Sequence, residues 1–259
     1  MKLIRRFGNS LRQNRELYEP ALFAEARFGF VPDLKQREFL NSGAKRLMLC
    51  CSRQWGKSSS AAVLAGHRAV VRPGSLVLCV SPTLRQTGEL ILKIRGFLAA
   101  AGEDVKGGRL LLALENGSRV VGLPGVEANV RGFSAPSLVV VDEAARVGDP
   151  LYKAMRPMLA GGGDLALLST PFGQRGFFWR EWERGGEEWK RISVKATDCE
   201  RIPASFLNEE RRVQGEEWFA QEYMCSFVGM ENQAFRAEWL EAARMEGLKY
   251  EALVPAGWR

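Results

Sequence analysis

The segment CSRQWGKSSS, residues 51–60, carries the residue types that bind phosphate groups in proteins. Gly56, Lys57 and Ser58 match the end of the phosphate-loop pattern G-x-x-x-x-G-K-[ST], although Cys51 stands where this pattern has its first glycine. The apolar run before the loop and the helical pattern after it let backbone N–H groups and a helix terminus converge on phosphate oxygens. The lysine then reaches the β- and γ-phosphates and the serine hydroxyl joins Mg²⁺. An exposed strand-to-helix turn is the alternative.

Two adjacent acids, Asp142 and Glu143, follow the apolar run SLVVV. Ligands of open α/β sheets bind at the carboxyl ends of parallel strands, so this pair lies where a nucleotide would bind. In a P-loop ATPase, Asp142 would hold Mg²⁺ through water, and Glu143 would orient and polarise the attacking water. A pair of acids that only caps the next helix is the alternative. The order of loop and acids along the chain favours the catalytic interpretation.

Two further polar features fit the same chemistry. Ser169 and Thr170 end the apolar run LALLSTP, and they can sense the γ-phosphate if their strand lies between those that end near Lys57 and Asp142. A plain turn after a strand is the alternative. Gln36, in PDLKQREFL, has an amide with donors and acceptors that could read an adenine edge. A solvated glutamine on a helix is equally consistent with the sequence.

These residues need elements that bring strand ends together. Short apolar runs alternate with helical patterns, which predicts an α/β domain with a largely parallel sheet. We expect strands in RLMLCC, SLVLCV, SLVVVD and LALLS, and helices in KSSSAAVLAGHRAVV and PTLRQTGELILKIRGFLAAAG. The segment RLLLALENGSRVVGLPG predicts a hairpin with a type I′ turn at Asn116-Gly117. A helix is expected over 150–159.

The predicted fold class is α/β, a P-loop NTPase of the ASCE/RecA-like type with a mainly parallel central sheet flanked by helices, plus a small lid subdomain. The lid is expected because the pattern becomes aromatic and charged from Gln174 onward, with a strand in WKRISVKA and two helices after it. The predicted boundaries are an N-terminal arm over 1–30, a P-loop ATPase core over 31–170, the lid over 171–228 and a linker over 229–259.

The composition is that of an ordinary folded protein. Hydrophobic residues make up 46% and charged residues 26% of the 259, and the net charge of +7 is compatible with a polyanionic partner such as nucleic acid. No apolar run is long enough for a membrane helix and no signal peptide is apparent, so we expect no membrane association and a cytoplasmic location. The five cysteines form no C-x-x-C pair, and His67 is expected on a helix surface rather than in a zinc site.

The motifs SRQWGKSS, LVVVDEAA and LLSTPFG, with Q-R-E about twenty residues before the first, together resemble the ATPase domain of large terminase subunits, the motors that package DNA into tailed-phage heads. The resemblance spans residues 36–227 and includes ENGSRVVGLPG, VRGFSAPSLVVVDEAA and FAQEYMCSFVG. In that family the first position of the loop is often not glycine, and S-R-Q often precedes G-K. Cys51 is therefore compatible with a working phosphate loop.

The resemblance implies ATP-driven translocation of double-stranded DNA into a procapsid by a homo-oligomeric ring. The ring would dock on the portal protein in the cytoplasm of the infected bacterial host and would work with a small terminase subunit. ATP is the implied substrate and Mg²⁺ the implied cofactor. The family's large subunits usually continue into a nuclease, but no suitable cluster of acids follows Thr170, so nuclease activity is not expected in this chain.

The resemblance also implies roles for individual residues. Nucleotide binding falls to Gln36, Ser52, Arg53, Gln54, Trp55, Gly56, Lys57, Ser58 and Ser59. Ser58 and Asp142 are the implied Mg²⁺ ligands, Glu143 is the catalytic acid, and Ser169 with Thr170 forms the coupling motif. Arg53 corresponds to a loop arginine that can touch the γ-phosphate within one subunit.

An arginine finger supplied by a neighbouring subunit would stabilise charge in the transition state. Arg131, in NVRGFSAP, is the first candidate, and a structural arginine that supports the Asp142 strand is the alternative. Arg146, just after the acids, is the second candidate.

Contacts with DNA are assigned to Arg85, Lys93 and Arg95 on the helix after the second strand, where they could grip phosphates. An ordinary solvated helix face is the alternative. Two other functions remain open from the sequence: a helicase-like P-loop ATPase that acts on nucleic acid, and a non-catalytic DNA-binding or portal-adaptor module. Glu143 argues against the second, since a binding module has no use for the second acid.

Overall fold

The computed structural model describes residues 17–126, 130 and 132–229, and the structural statements below concern these residues. The chain divides into a compact unit, Met1–Val228, and a second unit, Gly229–Arg259, of which only Gly229 is described. Residues 1–16 of the predicted arm and 230–259 of the predicted linker therefore lie outside the described part. No described helix is both long enough and apolar enough to cross a membrane.

The described strands alternate with helices along most of the chain. The strands are β1 (Arg46–Cys51), β2 (Leu76–Ser81), β3 (Val105–Lys106), β4 (Leu111–Leu114), β5 (Arg119–Pro124), β6 (Leu138–Asp142), β7 (Asp164–Ser169) and β8 (Trp189–Val194). The helices are α1 (Pro20–Phe23), which continues as a π-helix (Ala24–Phe28), α2 (Leu34–Leu40), α3 (Lys57–Val71), α4 (Leu84–Ala100), α5 (Asp149–Met155), α6 (Gly176–Arg184), α7 (Ala204–Gln214) and α8 (Glu216–Met224). Short 3₁₀ segments are Ala144–Arg146, Arg156–Gly161 and Ala196–Asp198.

The eight described strands form one sheet in the order β3-β4-β5-β2-β6-β7-β1-β8. Neighbouring strands run parallel from β5 to β8, and only the pairs β3–β4 and β4–β5 of these strands are antiparallel. The mainly parallel α/β fold is thus confirmed. Because β7 lies between β6 and β1, Cys51, Asp142 and Ser169 end neighbouring strands at one edge of the sheet, as the predicted coupling role required.

Both faces of the sheet are buried, which explains why its central strands read as continuous apolar runs. Alternate residues of β1 belong to different apolar clusters: Leu47, Leu49 and Cys51 face α3 and α4, whereas Met48 and Cys50 face α5 and α6. The Cys51 side chain is therefore packed in the core, and the loop begins after it.

The hairpin of β4 and β5 is confirmed, but the prediction of its turn is wrong. A type I′ turn needs a positive φ at both central residues. Gly117 has a φ of 82°, whereas Asn116 does not have a positive φ. The Asn116 amide instead donates to the carbonyls of Ala69 and Val70, at 2.9 and 3.1 Å. These contacts with the end of α3 are distant in sequence and favour a different turn.

The helix expected over 150–159 is divided between α5 and the 3₁₀ segment Arg156–Gly161. A strand and two helices are present after Gln174, as predicted. However, β8 lies within the predicted lid and pairs in parallel with β1, so it forms an edge of the central sheet. The boundary between core and lid stays a prediction.

His67 is buried, with 9% of its surface exposed, and the prediction that it lies on a helix surface is wrong. Its ring packs edge-on against Phe23, with centroids 5.1 Å apart, and its Nε2 lies 3.1 Å from the Leu17 carbonyl oxygen. Because α1 covers this face of α3, the imidazole is excluded from solvent.

Candidate active site at the carboxyl end of the sheet

The loop between β1 and α3 bends through two left-handed positions. Gln54 has a φ of 64° and Gly56 has a φ of 102°. A Cβ atom on Gly56 would lie 2.9 Å from the Gln36 Nε2, so glycine satisfies both the backbone conformation and the close approach. The loop therefore needs this glycine, whereas its first position, Cys51, is still part of the strand.

Backbone hydrogen bonds anchor the loop to two other elements. The Ser52 N–H donates to the Val194 carbonyl of β8 at 2.9 Å, and the Arg53 N–H donates to the Glu222 carbonyl of α8 at 3.0 Å. These bonds orient the start of the loop before α3 begins, and they tie it to the region predicted as a lid.

The loop and the acidic strand end meet directly. The Lys57 Nζ lies 2.6 Å from the Glu143 Oε1 and 3.7 Å from the Asp142 Oδ1. The Ser58 hydroxyl donates to the Asp142 Oδ2 at 2.8 Å. The predicted lysine, hydroxyl and two acids therefore form one cluster, although nearly the whole of two strand–helix units separates them in sequence.

Both charged groups of the closest pair have shifted pKa values. Burial lowers the pKa of Lys57, but the charges of Asp142 and Glu143 outweigh burial and raise this pKa above its ordinary value. Burial raises the pKa of Glu143, but the Lys57 charge, followed by that of Arg146, outweighs burial and lowers this pKa. Lys57 and Glu143 are therefore both charged at neutral pH.

Glu143 is held in an uncommon backbone conformation, with a φ of 55° and a ψ of 41°. Its N–H donates to the Asp142 Oδ1 at 3.0 Å. Its second carboxylate oxygen, Oε2, accepts a hydrogen bond from the Arg146 Nη1 at 3.1 Å. Each oxygen of the predicted catalytic acid thus contacts a cation.

Arg146 links three groups of its own chain. Besides Glu143, its Nη1 donates to the Thr170 Oγ1 at 3.0 Å, and its Nη2 donates to the Glu222 Oε1 at 3.1 Å. The Phe172 ring lies 4.7 Å from its guanidinium carbon. The second candidate for a finger is therefore occupied within its own site in this structure.

Arg53 contacts the same buried acid from the other side. Its Nε donates to the Glu222 Oε2 at 2.7 Å, and its guanidinium lies 5.6 Å from the centroid of the Trp218 ring. About half of the Arg53 side chain is exposed, whereas 3% of the Glu222 side chain is exposed. Arg53 can therefore leave this contact for a ligand without crossing the core.

The two residues of the predicted coupling motif are buried between the acids and the loop. The Ser169 Oγ accepts a hydrogen bond from the Ala145 N–H at 3.1 Å, and the Thr170 Oγ1 accepts one from Arg146. Thr170 also lines the cavity over the phosphate loop. Through Ala145 and Arg146, the end of β7 contacts the turn that carries Glu143.

A cavity of about 400 Å³ opens over the loop, and most of the predicted nucleotide-binding residues line it. Its walls are formed by Ser52, Arg53, Gln54, Trp55, Gly56, Lys57, Ser58, Gln86, Lys93, Glu143, Arg146 and Thr170. Ser59 lies in the first turn of α3 and does not line the cavity.

Gln36 is buried, and it is not the solvated helical glutamine that the sequence also allowed. Its Oε1 accepts from the Asp33 N–H at 3.0 Å, and its Nε2 donates to the Trp55 carbonyl at 3.2 Å. The Trp55 carbonyl also accepts a hydrogen bond from Arg201 at 2.7 Å. Gln36 therefore supports the loop from below, and its role toward adenine stays a prediction.

The three residues assigned to DNA do not share one face. Lys93 lines the cavity over the phosphate loop, and Arg85 is exposed near the start of α4. The Arg95 guanidinium donates to the carbonyls of Val105, Gly107 and Gly108. Arg95 thus fastens α4 to the segment before β4, and DNA binding by these residues stays a prediction. Arg131 lies outside the described residues.

Sequence reasoning missed Glu222, Gln86 and Arg201. Glu222 lies within the motif FAQEYMCSFVG, so the pattern was noticed although no role was assigned to its acid. A charged residue between aromatic residues of an amphipathic helix was the available signal. Gln86 and Arg201 carry no such signal.

A phosphate loop after β1, an acid pair after β6 and the strand β7 between them define the P-loop NTPase class in its ASCE form. The family model described as "Terminase large subunit, T4likevirus-type, N-terminal" matches residues 48–242, and the chain belongs to this family.

Curated relatives support the same assignment. The terminase large subunit of Thermus virus P23-45 is 28% identical over 250 residues, which cover 80% of this chain and 51% of that protein. The terminase large subunit of Escherichia phage T5 is 30% identical over 228 residues, which cover 81% of this chain and 51% of that protein. The chain thus spans about half the length of the curated relatives it matches.

Solved structures match over a similar range. The large terminase ATPase domain of Thermus phage P74-26 has 25% sequence identity and a TM-score of 0.72, with 80% of this chain and 97% of that chain covered. The large terminase of a thermophilic bacteriophage in complex with ATP-gamma-S has 14% identity and a TM-score of 0.65, with 75% and 52% covered. The second match shows the shared fold.

Proposed function

We propose that this chain is the ATP-hydrolysing motor domain of a viral terminase large subunit that drives translocation of double-stranded DNA into a procapsid. The observation that carries this proposal is the direct contact of Lys57 and Ser58 in the phosphate loop with Glu143 and Asp142 after β6. Family membership favours this function over a helicase-like ATPase and over a non-catalytic adaptor.

The loop and the start of α3 suit the phosphates of ATP. The backbone of residues 52–56 and the first turn of α3 face the cavity, where N–H groups and the helix terminus attract negative charge. Lys57 would move from the carboxylates to the β- and γ-phosphates. Arg53, at the exposed rim, would contact the γ-phosphate.

Ser58 and Asp142 suit Mg²⁺, because a hydroxyl and a carboxylate are hard oxygen donors and these two already lie 2.8 Å apart. When bound with ATP, Mg²⁺ would neutralise charge on the phosphate oxygens. The chain's own residues would then orient the nucleotide through the loop and hold the acids in place through β6 and the hydrogen bonds around Glu143.

Glu143 is the residue we assign to water activation. A carboxylate that contacts two cations is a poor acceptor for a proton from water, and both Glu143 oxygens contact cations. Phosphates in the loop would attract Lys57 and release Oε1. Ser169 and Thr170 would report the γ-phosphate to this turn through Ala145 and Arg146.

The wider role requires partners. We propose a homo-oligomeric ring on the portal protein, working with the small terminase subunit in the cytoplasm of the infected host. A finger from the neighbouring subunit, for which Arg131 is the candidate, would complete each site. Arg85 and Lys93 remain candidates for contacts with DNA. Packaging of DNA into portal-bearing procapsids, measured as nuclease-protected DNA, tests this role.

Steady-state hydrolysis tests the catalytic proposal. We expect Glu143→Gln to lower kcat by about a hundredfold or more while ATP binding is retained, because the group that polarises water is lost. Glu115→Gln, an exposed glutamate in the β4–β5 turn, is the matched control and should hydrolyse ATP like the parent chain. Equal turnover in the parent chain and Glu143→Gln would refute the assignment.

A further inference from the structure

Glu222 on α8 is a buried acid that holds two arginines of the active site at once. Its Oε2 accepts from Arg53 at 2.7 Å and its Oε1 accepts from Arg146 at 3.1 Å. Only 2% of the residue surface is exposed. Because a buried carboxylate is costly unless it is paired, these two guanidinium groups are the contacts that stabilise its charge.

The two arginines come from separate parts of the site. Arg53 belongs to the phosphate loop, whereas Arg146 ends the 3₁₀ segment that follows Glu143. The Glu222 backbone carbonyl also accepts the Arg53 N–H at 3.0 Å. One residue of α8 therefore fixes both the backbone of the loop and the direction of its arginine.

Charges alternate along a continuous set of contacts in this site. Lys57 contacts Glu143, Glu143 contacts Arg146, Arg146 contacts Glu222, and Glu222 contacts Arg53. Glu222 is the member of this set that does not line the cavity. It therefore acts on a ligand through the arginines rather than by contact.

We propose that Glu222 is a positioning residue for ATP hydrolysis, which restrains Arg53 and Arg146 and competes with the γ-phosphate for them. This inference rests on the proposed function. Without the carboxylate charge, Arg53 would pair more strongly with the phosphates, so ATP would bind more tightly. Arg146 would turn fully to Glu143 and keep that carboxylate from water, so hydrolysis would slow.

The charge-neutral variant Glu222→Gln distinguishes this role from a merely structural one. We expect KM for ATP to fall about threefold and kcat to fall about tenfold, a combination that loss of packing does not produce. Glu222→Asp, which keeps the charge, should recover part of kcat. Glu217→Gln, the same change at an exposed position of α8, is the control and should match the parent chain. Any result in which KM does not fall overturns the proposal.

Trp218 provides a second measurement on the unmodified site. Arg53 lies over its ring, so movement of Arg53 to a γ-phosphate should change its fluorescence. The Trp218 signal is the difference between the parent chain and Trp218→Phe. We expect it to change with ATP-gamma-S and to stay constant with ADP. Equal signals with the two nucleotides overturn the proposal even if Glu222→Gln does not fold.

Failure of the proposed function has a different signature. If the parent chain neither binds nor hydrolyses ATP, the proposed function fails. If the parent chain hydrolyses ATP and Lys57→Ala does not, the proposed function stands, and the Glu222 variants then decide the positioning role alone.

Discussion

The Lys57 ammonium lies 2.6 Å from the Glu143 carboxylate, so the group that should bind phosphate neutralises the group that should activate water. Of the two side chains, 10% and 24% are exposed, and both belong to the phosphate-binding cavity. Binding of phosphate by Lys57 and release of Glu143 are therefore one rearrangement. This relationship would limit futile activation of water before a nucleotide is bound.

The same pair should contribute to folding. We expect Lys57→Met to destabilise the chain by about 2 to 3 kcal/mol, because removal of one partner leaves buried carboxylates unpaired. Combination with Glu143→Gln should recover part of this loss, with an interaction energy of roughly 1 to 3 kcal/mol. Denaturant unfolding of the parent, both single variants and the double variant at neutral pH measures this energy.

Lys35 and Glu38 offer a surface control for that cycle. Their charged atoms lie 2.8 Å apart, but 42% and 39% of the side chains are exposed. Solvent screening should limit the interaction energy of this pair to about 0.5 kcal/mol. Equal interaction energies for the buried and the exposed pair would contradict the structural interpretation.

His67 should make stability depend on pH. Burial lowers its pKa from 6.5 to about 4, so the unfolded chain binds a proton that the folded chain does not. Stability should therefore fall as pH decreases from 6.5 toward 4, by about 2 kcal/mol between pH 7 and pH 5. The corresponding decrease in Tm is roughly 4 to 8 °C.

Thermal unfolding of His67→Gln at the same two pH values checks the origin of this effect. Glutamine keeps a donor near the Leu17 carbonyl but does not titrate. The variant should lose most of the difference in Tm between the two conditions, whatever its stability at neutral pH. A difference as large as that of the parent chain would assign the pH dependence to other groups.

Much of the fold could be predicted because its central strands are buried on both faces and read as apolar runs. The ends of these strands carry Lys57, Asp142 and Ser169 within recognisable local patterns. Residues whose surroundings come from distant elements could not be predicted. His67 is covered by α1, and Asn116 bonds to the end of α3, so local periodicity and turn preference are overridden.

The site shows the same division. The loop and the acids are local motifs, and their contact follows from the parallel sheet. Glu222 reaches the loop only because α8 packs beside β8, which no spacing in the sequence reveals. Arg146 lies close to the acids in sequence, but its engagement with Glu222 and Thr170 depends on two other elements.

The two candidates for an arginine finger should respond differently to mixing. Arg146 contacts groups of its own chain, so Arg146→Ala should lose hydrolysis by at least about tenfold in any assembly. Arg131→Ala should lose hydrolysis but retain ATP binding. Its site should regain activity beside a Lys57→Ala subunit, which has no working site of its own but supplies Arg131.

ATPase rates of equimolar mixtures measure this complementation, with each variant alone as the reference. The rate of the parent chain should also rise more than in proportion to its concentration if a neighbour completes the site. Restoration by the Arg146→Ala mixture, or none by the Arg131→Ala mixture, would reverse or refute the assignment.

Gln36 should contribute both to stability and to the choice of base. Its amide uses one acceptor site toward Asp33 and one donor toward Trp55, and an amide of this kind offers two donors and two acceptor lone pairs. One donor and one acceptor site therefore remain, which is what an adenine edge requires. We expect Gln36→Ala to cost about 1 kcal/mol through the lost cap and to remove the preference for ATP over GTP.

Asp33→Ala separates the two contributions, because it removes the other half of the same cap and leaves the Gln36 amide in place. This variant should lose similar stability and keep the preference for ATP. Competition binding of ATP and GTP, together with unfolding curves, measures both quantities in each variant. If the two variants retain the same preference as the parent chain, Gln36 only supports the Trp55 carbonyl and the loop, and the base is selected elsewhere.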